Sequence, residues 1–278
     1  MKTQLGFTHI HATPQDFEGN QGIGRYVLLP GSEGRAKEIA KHFSNVQVKT
    51  HDRGHHLYLG TIEAEGETIE VATIASGMGC PSMEIYLHEL YHLGAKRFLR
   101  IGTAGSLQPW VQIGDLVNVQ ASVRDENTTE RYLPIEFPAI ASLEVSSSIL
   151  LAAEQLNLLE QLHTGVVHCK SSLYAREFGM GPRHAENEHY LQLLTQAGVL
   201  ASEMETSALF IQTQIYNHEV QLKDESPHGQ VMAGAILAII ATPQNGFDSS
   251  GKAPLAIQQC IELGLETIKT LALQELAG

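Results

Sequence analysis

Apolar and polar positions divide the chain into short buried runs that alternate with segments of helical spacing. Apolar runs bounded by turn residues predict strands at Arg25–Leu29, Phe98–Ile101, Leu116–Val123, Thr164–Cys169 and Val231–Ile240. A hairpin-like pair is predicted at Leu57–Ala64 and Thr68–Ala75, and a short apolar stretch at Val199–Ala201. Helical spacing covers Ala36–Phe43, Ser82–Leu93, Glu144–Leu156, Ala185–Ala197, Ser207–Tyr216 and Pro254–Leu276. Pro81 near the first position and Gly94 just past the end bound the second of these helices. Residues 1–24 are polar and Gly-rich and read as a surface arm. Polar, Pro- or Gly-containing loops are expected at 124–140, 170–183, 221–230 and 241–251. Strand and helix alternate throughout, which predicts an α/β protein of three layers (αβα), a central sheet with helices on both faces. With no internal repeat and no linker, residues 1–278 are read as a single domain.

Of the 278 residues 43% are hydrophobic, enough for a sizeable core. A formal charge of −13 disfavours nucleic acid and anionic membrane as partners. Any anion site must therefore be a local cluster of cations. Cys80, Cys169 and Cys260 are far apart and form no CxxC pair, which suggests a reducing compartment without disulfides. The start has no apolar core of signal-peptide length, and no apolar run is long enough to span a bilayer. A cytoplasmic protein is expected.

Phe98–Ser106 (FLRIGTAGS) is the most informative stretch. A short buried strand is expected to end in a turn of Gly102, Thr103, Ala104 and Gly105, whose small residues let a ligand approach the backbone. Arg100 places a cation inside the apolar run, so it faces a carboxylate or a bound anion, or reaches solvent from an edge strand. Pro30-Gly31-Ser32-Glu33-Gly34-Arg35 follows another strand and opens a helix, an arrangement that offers N–H groups to an anion. His51, Asp52, His55 and His56 have the residue types of a metal cluster. Gly54 and the next strand rule out the helix that would align His51 with His55, and Arg53 would repel a cation, so a solvated turn is expected. Gly77–Ser82 (GMGCPS) resembles a dinucleotide fingerprint without its last glycine. The next strand offers Arg100 where an acidic residue is needed, which excludes a nicotinamide site. In Ser202–Thr206 (SEMET) two glutamates flank Met204 at a strand-to-helix transition. They could grip a sugar diol, or they could cap the following helix.

Taken together, PGSEGR at 30–35, Arg53, SGMGCPS at 76–82, FLRIGTAGSLQP at 98–109 and SEMET at 202–206 resemble the hexameric nucleoside phosphorylases, and among them the uridine phosphorylases. The resemblance runs from about His9 to the end of the chain. It implies a three-layer fold with a mixed, twisted central sheet. It also implies a phosphate site of Gly31, Arg35, Arg100 and Thr103, with Arg53 supplied by a neighbouring subunit. Glu203, Met204 and Glu205 would hold the ribose, Glu205 taking the 2′- and 3′-hydroxyls. His9 would reach the 5′-hydroxyl across a subunit boundary, with His11 as the alternative. Arg100 and Glu205 would carry catalysis. The implied partners are a nucleoside, inorganic phosphate as co-substrate, and further copies of the chain, with a dimer as the smallest unit and a hexamer as the assembly. No metal or organic cofactor is needed.

The departures from the family pattern lie at the base. Uridine phosphorylases have a phenylalanine followed by a glutamine and an arginine there. Here the loop carries Leu173, Tyr174, Ala175, Arg176, Glu177, Phe178 and Gly179. Glu177 stands at the glutamine position and Gly179 at the arginine position, so Glu177 and the nearby Arg176 are expected to read a pyrimidine edge. The purine branch has a late aspartate, but its position falls near Pro243, with Asp248 further along. Gly54 replaces a glutamate that helps hold a monovalent cation in the family, which leaves that cation open. The expected reaction is phosphorolysis of a pyrimidine nucleoside, with uridine first. Alternatives are a purine phosphorylase, a hydrolytic nucleosidase of the same fold, and a binding protein with lost catalysis.

Overall fold

The computed structural model describes residues 8–222 and 229–277. β1 (Tyr26–Pro30) leads into α1 (Glu33–Ala40), and then come β2 (Ser44–Lys49), β3 (Leu57–Ala64), β4 (Glu67–Thr73) and α2 (Cys80–His92). The long strands β5 (Arg97–Ser106) and β6 (Leu116–Asp125) are followed by β7 (Ala139–Ile140) and α3 (Leu143–Gln155). β8 (Leu162–Lys170), α4 (His184–Gln196), β9 (Ala201–Glu203) and α5 (Thr206–Leu222) come next, and β10 (Met232–Thr242), β11 (Gly246–Phe247) and α6 (Lys252–Leu276) close the chain.

One mixed sheet runs in the order β11-β10-β6-β8-β9-β5-β1-β4-β3-β2, with β7 beside β6. β1 is parallel to β4 and β5, and β6 is parallel to β8, while β3 is antiparallel to β4 and β10 to β6. β5 also pairs with β10, so β10, β6, β8, β9 and β5 form a closed circuit of strands. Such a ring leaves these strands without free edges.

The continuous apolar runs are explained by burial on both faces. Along β5, Phe98 enters the apolar cluster that includes α2 and α5, while Leu99 and Ile101 enter the one that includes α1, α3 and α6. β10 alternates in the same way: Ala233, Ala235, Leu237 and Ile239 lie on the first side, Ile236 and Ala238 on the second. These two clusters are the interfaces between the sheet and its two helix layers.

Several expectations need correction. The small residues Gly102–Gly105 do not form a turn, because β5 continues through them to Ser106 in register with β10 and then β9. Without bulky side chains this segment can carry strands closely on both sides. The edge strand β2 is polar and exposed along most of its length, so no apolar pattern marked it. The N-terminal segment is less of a free arm than expected, since Ile10, Phe17 and Ile23 are buried. Helix α5 reaches Leu222, and residues 223–228 of the expected 221–230 loop lie outside the described residues. Among the described residues no helix is long and apolar enough to cross a membrane.

Candidate active site

A cavity of about 510 Å³ opens where the carboxyl ends of β1, β5, β8, β9 and β10 meet, the usual location for ligands in open α/β sheets. Gly31 and Arg35 line it from the β1–α1 junction, Arg100 and Thr103 from β5, and Glu203, Met204 and Glu205 from the β9–α5 junction. Elements far apart in sequence thus converge here because the sheet order sets β9, β5 and β1 side by side.

Arg100 is the central cation. Its position on β5 turns its side chain towards the α2/α5 layer, where it is only 3% exposed. The guanidinium bonds Glu205 through Nη2, and its Nε lies 3.3 Å from Glu203 Oε2. Burial works against the charge, yet the two carboxylates outweigh it and raise the pKa of Arg100. Nη1 is buried with no hydrogen-bond partner among the described residues. An unpaired buried donor on a cation is costly, and an anion in the cavity would satisfy it. Arg35 stands beside it, its Nη1 donating to the Ile101 carbonyl at 3.1 Å.

The two glutamates divide the roles that the sequence left open. Glu203 caps α5: its carboxylate accepts from the Glu205 and Thr206 N–H groups at 2.8 and 3.0 Å and from the Thr206 hydroxyl at 2.5 Å. Burial opposes its ionisation, but Arg100 and these hydrogen bonds hold its pKa below the ordinary value. Glu205 instead accepts from the Gly79 N–H at 2.5 Å. Gly79 has φ +85°, a left-handed conformation that suits glycine and turns its N–H towards the carboxylate. Burial, with Glu203 nearby, raises the pKa of Glu205 despite Arg100.

One family model, described as the phosphorylase superfamily, matches residues 25–221. The chain belongs to the phosphorylase superfamily. It is 33% identical to a uridine phosphorylase of Treponema pallidum over 91% of this chain and 92% of that protein. A uridine phosphorylase of Thermococcus kodakarensis is 30% identical over 95% of this chain and 86% of its own length. A guanosine phosphorylase of Halorubrum lacusprofundi is 26% identical over 86% of this chain and 89% of its own.

In this phosphorylase-superfamily chain the loop expected at the base is a single π-helical turn, Leu173–Glu177, between β8 and α4. Leu173 and Glu177 line the cavity, and Glu177 packs so close to Gly105 that a Cβ there would lie 2.5 Å from its carboxylate. Arg176 is not brought to this cavity. Asp125 takes its guanidinium through Nε at 2.7 Å and Nη2 at 2.9 Å, Asn187 takes Nη1, and the group sits 4.2 Å over the Tyr190 ring. Tyr174 is largely exposed and its ring lies 6.1 Å from that of Phe178. Arg53 is exposed in the turn before β3, with its backbone N–H on His51 Nδ1. His9 bonds Glu89 on α2 at 2.7 Å and does not line the cavity. Neither His9 nor Arg53 reaches the cavity of its own chain.

Three cavity residues escaped the sequence reading. Lys170 is buried at the end of β8, where its Nζ meets Ser202 Oγ at 2.8 Å and Glu177 Oε2 at 2.5 Å. Inside an excursion rich in both charge signs it carried no distinguishing pattern. His55 lines the cavity, stacks on Tyr86 and keeps a buried Nδ1 with no hydrogen-bond partner among the described residues. Phe247 stands at the rim in contact with Phe178. A second cavity of about 590 Å³ lies behind Glu177 and shares Gly105, Glu177 and Ala241 with the first.

Asp248 serves the start of α6. It accepts from the Ala253 and Ser250 N–H groups and the Ser250 hydroxyl, and those bonds lower its pKa to about 2. Because the folded pKa is depressed, its contribution to stability is present above the ordinary carboxylate value and is lost as pH falls towards 2. Asp248→Asn should therefore leave kcat within about two-fold at neutral pH, while lowering Tm more at neutral pH than near pH 2, as kinetics and thermal melts would show. A large loss of turnover would instead bring Asp248 into the chemistry.

Proposed function

We propose that the protein cleaves uridine with inorganic phosphate, giving uracil and ribose 1-phosphate. The observation that carries this reading is the buried Arg100, with an unpaired Nη1 and with Arg35, Gly31 and Thr103 around the same cavity. Guanidiniums and small-residue N–H groups suit a phosphate dianion, at about 1.5–3 kcal/mol for each charge-assisted hydrogen bond. Glu205 holds the ribose hydroxyls, with Met204 as an apolar floor and Glu203 steadying the start of the helix that follows them. As the base departs, C1′ becomes cation-like, and the phosphate below it is both stabiliser and nucleophile. The names of the Treponema pallidum and Thermococcus kodakarensis relatives support uridine as the nucleoside. The three free cysteines support a cytoplasmic setting and no structural disulfide. In this reading the chain uses no metal or organic cofactor.

Uridine incubated with and without phosphate tests the reaction. Uracil release should require phosphate and yield ribose 1-phosphate, whereas equal release in phosphate-free buffer, with free ribose, would identify a hydrolase.

The same reading makes the site a shared one. Arg53 and His9 lie away from the cavity of their own chain, and we place them across a two-fold contact, in a dimer that repeats within a hexamer. An Arg53→Ala protein and a Glu205→Gln protein would each be inactive alone. Co-expressed, they should recover up to roughly a quarter of wild-type activity, since half the dimers are mixed and each mixed dimer has one intact site. If mixed dimers form and stay inactive, the site is built within one chain.

A further inference from the structure

The base end of the cavity holds a carboxylate, Glu177, where a departing pyrimidine becomes negative. This inference rests on the uridine reading above. In phosphorolysis the N1–C1′ bond breaks and its electron pair goes to the base. A phosphate oxygen closes the new C1′–O bond, and the base anion takes up one proton from water, matching the one that the new phosphate monoester gives up. Before protonation, negative charge spreads over N1 and the two carbonyl oxygens. A lone carboxylate beside N3–H binds the neutral base well but repels this anion. Glu177 by itself would therefore favour the bound substrate over the transition state.

Lys170 removes that conflict. Its Nζ lies 2.5 Å from Glu177 Oε2 and lines the same cavity, at 1% exposure. The ammonium has three N–H donors: one is taken by Ser202 Oγ, and the contact with Glu177 is an ion pair that leaves Glu177 Oε2 without a hydrogen bond, so donors on Lys170 and an acceptor on Glu177 both remain for a ligand. The chain behind it fixes its position. Ser202 Oγ lies 3.0 Å from His168 Nδ1, and His168 Nε2 lies 2.9 Å from Asp125 Oδ2. Asp125 accepts from Nε2, and with Nδ1 as the acceptor the Ser202 hydroxyl donates to the ring. Ser202 Oγ is then free to accept from Lys170. The far end is closed by Arg176, which holds Asp125 with two hydrogen bonds. The register of β8 with β9 sets this up, since His168 pairs with Ser202 and Cys169 with Glu203. Arg176, expected at the base, thus acts one step behind it.

We propose that Lys170 is the catalytic cation at the base: it donates to a carbonyl oxygen of the leaving pyrimidine while Glu177 accepts the adjacent N3–H. His168, Ser202 and Asp125 are positioning residues for it. Donor and acceptor side by side match the edge of uracil, and the pair bears no net charge against the departing anion.

The test uses leaving groups of different stability on the intact protein. Lys170→Met should lower kcat/KM for uridine by about 10²-fold or more, the loss typical of removing one donor to a developing anion. For 5-fluorouridine, whose base leaves as a more stable anion, the loss should be at least about ten-fold smaller. The double variant Lys170→Met/Glu177→Gln should recover about ten-fold on uridine, because the unopposed carboxylate is gone. A merely structural lysine would cost both nucleosides equally. Equal losses, or a Lys170→Met enzyme as active as wild type, would overturn the proposal and leave uridine phosphorolysis standing. If Lys170→Met does not fold, Ser202→Ala must shift the ratio of the two substrates in the same direction, and an unchanged ratio overturns the proposal. A wild-type protein inactive on uridine would overturn the underlying reading, and this inference with it.

Discussion

Arg100→Ala should lower kcat and raise the apparent KM for phosphate together, with kcat/KM falling about 10²–10³-fold. The guanidinium holds the bound dianion before bond breaking and counts for more during it, so the ground state loses binding and the transition state loses more. The same substitution strips Glu203 and Glu205 of their shared cation. Breaking a buried ion pair in this way costs about 3–5 kcal/mol, so Tm should drop as well. Arg100→Lys keeps a charge but not the planar fork that meets two carboxylates and a ligand at once. It should restore most of the stability and little of the phosphate affinity. Phosphate-saturation kinetics and thermal melts on both variants separate the two effects. A normal phosphate KM in a folded Arg100→Ala protein would remove Arg100 from the anion site.

Glu205→Gln and Glu203→Gln should fail in opposite ways. Glu205 is held by one backbone N–H and by Arg100, and it lines the cavity where an oxocarbenium-like sugar would form. An amide there offers less negative charge, and kcat/KM should fall about 10²-fold. Its raised pKa means that the folded state penalises the ionised form, so stability falls as pH rises from the ordinary carboxylate value through the folded pKa. The Gln variant, neutral at every pH, should keep or gain Tm at neutral pH. Glu203 has the reverse balance, with its pKa held down by Arg100 and by the first turn of α5. Glu203→Gln sets an amide donor against N–H groups that need an acceptor, so it should lose Tm more than activity. Paired melts and kinetics decide the matter, and matched behaviour in the two variants would dissolve the division of roles.

How far the sequence could be read depended on whether a feature was local. β1, β10 and α6 were legible because both their faces or one long stripe are apolar, a pattern written in consecutive residues. β2 was not, since an exposed polar edge strand owes its existence to β3 beside it. Arg100 stood out as a charge inside an apolar run, and its partners proved to be the SEMET carboxylates more than a hundred residues away. Lys170 and His55 were missed for the converse reason. Each sits in a segment already full of charges or histidines, and only the pairing of β8 with β9, or the stack on Tyr86, distinguishes it. Arg176 was placed at the base because it is near Glu177 in sequence, but on a π-turn neighbouring side chains diverge, and Asp125 captured it.

The π-turn Leu173–Glu177 also bears on how such a protein can change over generations. In the reading developed here, phosphate and sugar are held by the ends of strands locked into a closed circuit, where a substitution disturbs the core. Apart from Lys170 at the end of β8, the base meets residues on one inserted turn, which is open to solvent at Tyr174. Mutation at the solvent-facing positions of that turn can therefore explore new bases while the strand ends that hold phosphate and sugar stay intact.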